Sequence, residues 1–322
     1  MGGRIEDSHT DRVRSVVDDE VAPAKSAIAA SWRRCVTLYG LDPDQRRPPE
    51  ILTETQLHEA RQEIEPLVRM AHASLDRLFA AVADLGCCVL LTNKDGVPVE
   101  QRGTSAEETI FRNWGLRLGA VWSEAREGTN GIGTCLAEGR ALTIHRDQHF
   151  HTRNTGLSCT VAPIYDHEGR LAAALDVSGC RESLTEGLIG LVAVAVTDAA
   201  RAIEALNFRQ FFSDARILLS PDAERNSAAL LAVDRHDLVI GATRSARLAL
   251  GICDARIAAQ LPASDLLADA GAEAELIEAE RGAIRRALAR ANGNVSAAAR
   301  LLGVSRATLH RKLNRLALSQ TH

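Results

Sequence analysis

Residues 292–318 read NGNVSAAARLLGVSRATLHRKLNRLAL, and the whole chain is best read outward from them. Residues 295–302 are alanine-rich and predict a helix. Gly303 permits the positive-φ conformation of a tight inter-helix turn, and Ser305 can cap a second helix, from about residue 306 to 316, through its hydroxyl. Ala298 and Ala299 let the two helices approach closely, while Leu302, Val304, Leu309 and Leu313 fall at spacings that turn them toward one shared core. What stays outside is basic: Arg306, Arg311, Lys312 and Arg315, with Thr308 and His310 among them. Such a helix suits phosphates and guanine edges. A solvated basic face on a structural hairpin is the alternative, yet turn glycine, cap, small-residue contact and basic helix all agree on a helix-turn-helix that reads DNA.

The rest of the chain sets the context. Its 322 residues suffice for two or three domains, and 46% hydrophobic with 25% charged residues describes a soluble globular protein. Net charge is only −4, but from residue 281 onward there are nine Arg or Lys and no acidic residue. That asymmetry favours a nucleic-acid module attached to a neutral-to-acidic body. Lysine is nearly absent, with only Lys25, Lys94 and Lys312, which reflects genomic base composition. Seven cysteines lack any C-x-x-C pair and form neither a disulfide framework nor a zinc signature. The opening MGGRIEDSHTDRVRS lacks an apolar signal core and no long uncharged apolar run follows, so a cytoplasmic protein without membrane contact is expected.

In chain order, residues 1 to about 20 are polar and expected to fray. A helix is predicted over 23–39, ended by Gly40 and a Pro-rich run, and a longer one over 54–85 with Pro66 as a possible kink. At Cys87 the texture changes: CCVLLT, then NKDG, then VPVEQRG reads as strand, turn, strand. LSCTVAPIYDHEGRLAAALDVSG is a hairpin about a D-H-E-G turn. From Thr185 to Phe212 a long apolar helix suits a connector that pairs with its copy in a dimer, and AALLAVDRHDLVIGATRSARLALG reads as strand, turn, strand, helix. The fold class is α+β: an antiparallel sheet with flanking helices, then a shorter mixed unit, then an all-α C-terminal segment.

Residues 292–318 are similar to the C-terminal module of Fis-type regulators, through Gly293, Asn294, Gly303, Val304, Ser305, Arg306, Thr308, Leu309, Arg311, Lys312 and Leu313. The resemblance implies a DNA-facing set of Asn294, Ser305, Arg306, Thr308, His310, Arg311, Lys312 and Arg315. Residues 28–204 resemble the N-terminal region of AcoR-type acetoin-catabolism regulators, which carry a GAF sensor. The carrying residues are Ser31, Trp32, Arg34 and Cys35 with Gly40, Leu41 and Pro43; Glu127, Gly128, Thr129, Asn130, Ile132, Gly133 and Thr134; His149 and Phe150; Ser158, Cys159, Ala162, Pro163 and Ile164; then Gly169, Leu175, Asp176 and Ser178. Residues 226–251 look like a truncated PAS-type segment. The implied domains are a helical segment (1–85), a GAF-like domain (86–205), a connector with PAS-like remnant (206–262), a linker (263–276) and the Fis-type module (277–322). By resemblance the effector pocket is lined from Trp122, Asn130, Thr134, His149, Cys159 and Asp176, and the effector is an acetoin-like ketone, alcohol or aldehyde.

One departure stands out. AcoR-like proteins place an AAA+ ATPase between sensor and Fis-type module, to remodel sigma-54 polymerase. Here about 70 residues separate the two, and none of the three lysines follows a glycine as a P-loop requires. The expectation is a dimeric regulator that binds double-stranded DNA and acts through RNA polymerase or a partner regulator, without its own ATPase. The alternative is a sensor or adaptor that works by protein contact or by mixed dimers with a full-length AcoR-like activator.

Other constellations are weaker. Residues 128–133 could be taken for a phosphate cradle, but no basic residue follows; a tight loop into a helix capped by Thr129 or Asn130 is the better reading. His145, His149 and His151 with Cys159 nearby could hold a metal or haem iron, though their spacing fits no standard site and polar loop histidines are common. Cys87 and Cys88, adjacent in an apolar strand, are read as core, with redox sensing a minor possibility for Cys159. No G-x-S-x-G, H-E-x-x-H or paired-carboxylate motif indicates an enzyme, and no cofactor is implied.

Overall fold

A computed structural model describes residues 8–180, 185–220, 228–267, 280, 283–284, 287–288, 290–291 and 294–315. They fall into two units, Met1–Gln260 and Leu261–His322.

The first unit is built on a five-stranded antiparallel sheet of β1 (Cys87–Asn93), β2 (Pro98–Arg102), β3 (Leu142–His145), β4 (Ser158–Tyr165) and β5 (Leu171–Gly179), in the order β2-β1-β5-β4-β3. Its strand β1 reads as a nearly continuous apolar run, CCVLLT, because both faces of the sheet are covered. Val89, Leu91, Leu175, Val177 and Ile164 face one side, under α5 (Glu65–Val82) and α9 (Glu186–Phe211). Cys88, Leu90, Cys159 and Val161 face the other, together with Ile132 of α8 (Gly131–Glu138) and Trp122. Each fully buried Leu, Ile or Val contributes about 1.5–3 kcal/mol. Cys87 and Cys88 point to opposite faces and both belong to the core; none of the seven cysteines is in a disulfide.

Three expectations need revision. The frayed N-terminus is instead helical over α1 (His9–Asp18), where Ser8 and Asp11 form a reciprocal capping box and Val13 is buried against Trp32, Cys35 and Phe150. The helix expected over 23–39 is two helices, α2 (Ala22–Lys25) and α3 (Ala27–Thr37), because Ser26 is extended and caps the second. The long helix over 54–85 breaks at Ile64 (φ −120°, ψ 21°) into α4 (Glu54–Glu63) and α5, with a 3-10 turn at Ala83–Leu85. Pro66 is the reason: it cannot donate to the carbonyl four residues back, and its ring crowds that turn.

Beyond α9, whose first turn is capped by Thr185, β6 (Arg216–Leu219), β7 (Leu230–Val233) and β8 (Val239–Ala242) form a three-stranded antiparallel sheet in that order, beside α10 (Arg244–Leu250) and α11 (Asp254–Ala258). The D-R-H-D turn between β7 and β8 is as expected, with Asp234 Oδ1 accepting from the backbone of His236 and Leu238 at 2.8 and 2.9 Å. β6 carries no clear signal in the sequence, since its four residues are few and its ladder partner β7 is distant in the chain.

In the second unit, helices Val295–Leu301 and Arg306–Arg315 meet at Gly303 (φ 66°). Ala298, Ala299, Leu309 and Leu313 are buried with Ile284 and Ala287, and Leu302 and Val304 pack against them. The predicted hairpin core is therefore present.

The glycines test how tightly α8 is seated. A Cβ on Gly133 would lie 2.4 Å from the Glu124 backbone nitrogen and 2.6 Å from the Trp122 carbonyl oxygen, whereas one on Gly190 of α9 meets nothing. Gly133→Ala is expected to destabilise the protein by about 2–3 kcal/mol. Gly190→Ala should stabilise it by about 0.5–1 kcal/mol. Urea denaturation of the two variants beside wild type checks both; equal midpoints for Gly133→Ala and wild type would contradict the close seating.

Candidate functional site

The six side chains expected to line a sensor pocket are all buried, but they do not form one set. Hydrogen-bond accounting separates them. Asn130 accepts from the Gly133 backbone at 2.8 Å, capping α8, and donates to the carbonyls of Trp122 at 3.0 Å and Gly128 at 2.8 Å. Its amide is fully engaged with backbone. Trp122 Nε1 donates to the Gly115 carbonyl at 3.0 Å, and Thr134 Oγ1 accepts from the Asn130 backbone at 3.3 Å. These three hold the 122–134 loop in shape.

His149, Cys159 and Asp176 form a second group, linked by a residue that the pocket assignment omitted. Cys159 on β4 pairs with Ser178 on β5, and Asp176 lies between Leu90 of β1 and Val161 of β4. Ser178 Oγ is 3.0 Å from Cys159 Sγ and 2.7 Å from Asp176 Oδ2, and Cys159 Sγ is 3.5 Å from His149 Nε2. His149 Nδ1 is 2.9 Å from the Arg146 carbonyl, which can only accept, so the proton sits on Nδ1 and Nε2 faces the thiol as an acceptor. A polar line thus crosses an apolar layer. Burial sets its protonation: it holds His149 down at about 4, pushes Cys159 well above the usual thiol range, and pushes Asp176 up to about 7 against the opposing hydrogen bond from Ser178. Such thiols are not reactive thiolates.

Asp176 Oδ1 is the exception in this accounting. The residue is 0% exposed and this oxygen has no hydrogen-bond partner among the described residues. It faces the first turn of α8: a Cβ on Gly131 would be 3.4 Å from it, and 2.5 Å from Cys159 Cβ. His145 and His151 are elsewhere, His145 Nδ1 on Ser158 Oγ at 2.7 Å and His151 edge-on to Phe150. Among the described residues no three metal-ligating side chains gather.

The N-terminal helices close these loops from outside. Ser31 on α3 lies 2.6 Å from both Glu124 Oε2 and Thr129 Oγ1, and Arg34 bridges Glu124 and Glu138, each at 2.8 Å. Trp32 Nε1 donates to the Gln148 carbonyl at 3.0 Å, and His9 Nε2 is 3.2 Å from the Phe150 carbonyl. Ser31, Trp32, Arg34 and Cys35 carry part of the family resemblance; the structure gives them a place, as fasteners on the loops that bury His149.

The basic helix of the second unit divides in a similar way. Asn294 Oδ1 accepts from the Ala297 backbone at 3.1 Å and Ser305 Oγ from that of Thr308 at 3.1 Å, with Thr308 Oγ1 2.8 Å from Ser305 Oγ. These are helix caps. Lys312 pairs with Glu280, and His310 is half-buried. Arg306 and Arg311 are exposed and form no ion pair among the described residues. The Arg315 side chain and Gly293 lie outside the described residues.

Comparison with known proteins supplies the context. The GAF domain family matches residues 53–203, and the bacterial regulatory protein, Fis family, matches residues 275–316. The acetoin catabolism regulatory protein of Cupriavidus necator is 38% identical over 240 residues, 73% of this chain and 36% of that protein. The acetoin dehydrogenase operon transcriptional activator AcoR of Bacillus subtilis is 27% identical over 193 residues, 60% of this chain and 32% of that one. The chain thus spans about a third of the length of the curated relatives it matches. Among solved structures, the Escherichia coli DhaR(N)–DhaL complex contains a chain with the same fold, at TM-score 0.53 and 16% identity, covering 70% of this chain and 77% of that one. The chain combines a GAF domain with a Fis-family helix-turn-helix segment and is homologous to the AcoR-type acetoin catabolism regulators.

Proposed function

We propose that this protein is a transcriptional regulator that binds double-stranded DNA through its Fis-family segment and senses a small molecule through its GAF domain. The observation that carries the DNA half is the capped, closed core beneath Arg306 and Arg311, which leaves two guanidinium groups exposed on one helix. Arg306, Arg311 and Arg315 make the base or phosphate contacts. Lys312 joins them once it leaves Glu280, while Asn294, Ser305 and Thr308 act through the helix termini, whose backbone N–H groups suit phosphate.

The sensing half rests on Asp176 Oδ1, a buried acceptor without a donor. An effector hydroxyl would satisfy it, and the names of the relatives, tied to acetoin catabolism, point to small ketones, alcohols or aldehydes. The protein acts as a homodimer on a palindromic site with half-sites about one helical turn apart. It is not itself an ATP-driven activator: residues 204–274, between the two matched segments, contain no lysine to grip nucleotide phosphates. It works in the cytoplasm through RNA polymerase or a partner regulator; no described helix is long and apolar enough to cross a membrane.

A second reading has one observation in its favour: the fold-related DhaR(N) chain was solved in complex with another protein, DhaL. In that reading the sensor works chiefly by protein contact, or in mixed dimers with a full-length AcoR-like activator. Footprinting separates the two. A discrete footprint from the purified protein on its own upstream region supports direct regulation, and one that needs an added partner supports the adaptor.

Arg306→Ala is expected to lower specific DNA affinity by about 1–3 kcal/mol, and wild-type binding should weaken steeply with salt. Gel shifts at two salt concentrations read both effects; unchanged operator binding by the variant removes Arg306 from the interface. The Asp176 carboxyl titrates at about 7 in the fold, against about 3.9 in an unfolded chain. Its folded pKa is raised, so the stability it contributes is complete below about pH 4 and is lost as pH rises through 7. Asp176→Asn should therefore gain on wild type by on the order of 3–4 kcal/mol between pH 4 and 8. Thermal melts of both proteins at those two pH values measure the difference, and a pH-independent gap would mean that Asp176 is not held protonated.

A further inference from the structure

A cleft of about 460 Å³ opens on the α5 and α9 side of the sheet, away from the buried polar line. Ile64, Leu67, Ala172 and Phe211 give it apolar walls, where the start of α5, the β4–β5 turn and the last turns of α9 come together. Two features distinguish it from an ordinary surface groove. The ring of Phe211 is stacked on that of His167, with centroids 3.5 Å apart and planes 16° from parallel, yet Phe211 remains 58% exposed. Asn207, one turn before it, is only 8% exposed, lines the same cleft, and its side-chain amide has no hydrogen-bond partner among the described residues. Facing the cleft, that amide offers a donor and an acceptor side by side to whatever occupies it.

Most charges at the rim are paired: Lys94 with Glu63 and Arg170 with Glu168, while Asp166 Oδ1 accepts from the Glu168 and Arg170 backbone, each at 2.9 Å, and has no cation beside it among the described residues. The inner surface therefore offers an aromatic face, apolar walls and one amide, and among the described residues it holds no unpaired cation to attract an anion. An asparagine amide pairs with a donor and acceptor side by side, as on an adenine edge, and an exposed aromatic face accepts a flat ring regardless of its substituents. The volume lies in the range of small-molecule sites.

We propose that this cleft is a second ligand site, for a neutral planar heteroaromatic molecule carrying adjacent hydrogen-bond donor and acceptor groups, such as a nucleobase or a nicotinamide-type ring. The ring covers Phe211, and its edge pairs with Asn207. A bound molecule ties the last two turns of α9 to the start of α5 and to the β4–β5 turn. It thereby fixes the direction in which the chain leaves α9 for β6, independently of what occupies the GAF interior.

The test uses the full chain with adenine and nicotinamide as probes and indole as a flat ring lacking the acceptor edge, measured by calorimetry. Saturable binding of adenine or nicotinamide is expected, at least about tenfold tighter than indole. Asn207→Leu should abolish that preference, and Phe211→Ala, at an exposed position, should weaken all three; unchanged circular dichroism shows that each variant is folded. The proposal is overturned if neither adenine nor nicotinamide binds, if indole binds as tightly as they do, or if both variants bind like wild type.

Discussion

Asn130 holds the GAF domain together. A single side chain caps α8 and clamps the two preceding carbonyls of the 122–130 loop, and so presses glycines 131 and 133 onto β4 and onto the 122–124 backbone. Without that close approach α8 would stand off the sheet, Cys159 and Asp176 would meet water, and the pKa displacements along the polar line would collapse. The apolar layer around Leu90, Trp122 and Ile132 supplies the burial energy, but the amide decides where the helix sits. Small residues follow from that constraint, since a Cβ at either glycine would collide with backbone or core.

How much was readable in the sequence depended on range. The helix-turn-helix was readable in detail because its signals are local: Gly303, the Asn294 and Ser305 caps and the leucine spacing all lie within about two dozen residues. The same holds for the hairpin of β4 and β5 and for α9. The N-terminal helix was missed because its stability comes from Val13 packing on Trp32 and Phe150, a contact no local pattern reveals, while its own composition is polar. Ser31 and Glu124, 93 positions apart, likewise leave no periodic trace. For the interior site, resemblance pointed to buried residues but not to their duties: Trp122, Asn130 and Thr134 shape the loop, and Ser178 joins Cys159 to Asp176 through a cross-strand register that only pairing reveals.

On the reading proposed above, in which no nucleotide-driven engine takes part, regulatory output comes from geometry and passes through α9. α9 is well suited to that, being one continuous helix of 26 residues, packed along the sheet by Val192, Val196, Ala200 and Ile203 and reaching the three-stranded sheet through Ala205 and Phe208. A rigid rod moves its far end whenever its near end tilts.

The opposed orientations of Cys87 and Cys88 have a kinetic meaning. A sheet covered on both faces has no open side through which an effector could simply settle beside Asp176. Entry requires some covering piece to lift, and the pieces over the His149 loop are the helices fastened by Ser31, Trp32 and Arg34. On the proposed reading of Asp176 as the sensing site, the response would be timed by the fold's own breathing, and would report how long the effector persists as well as how much of it is present.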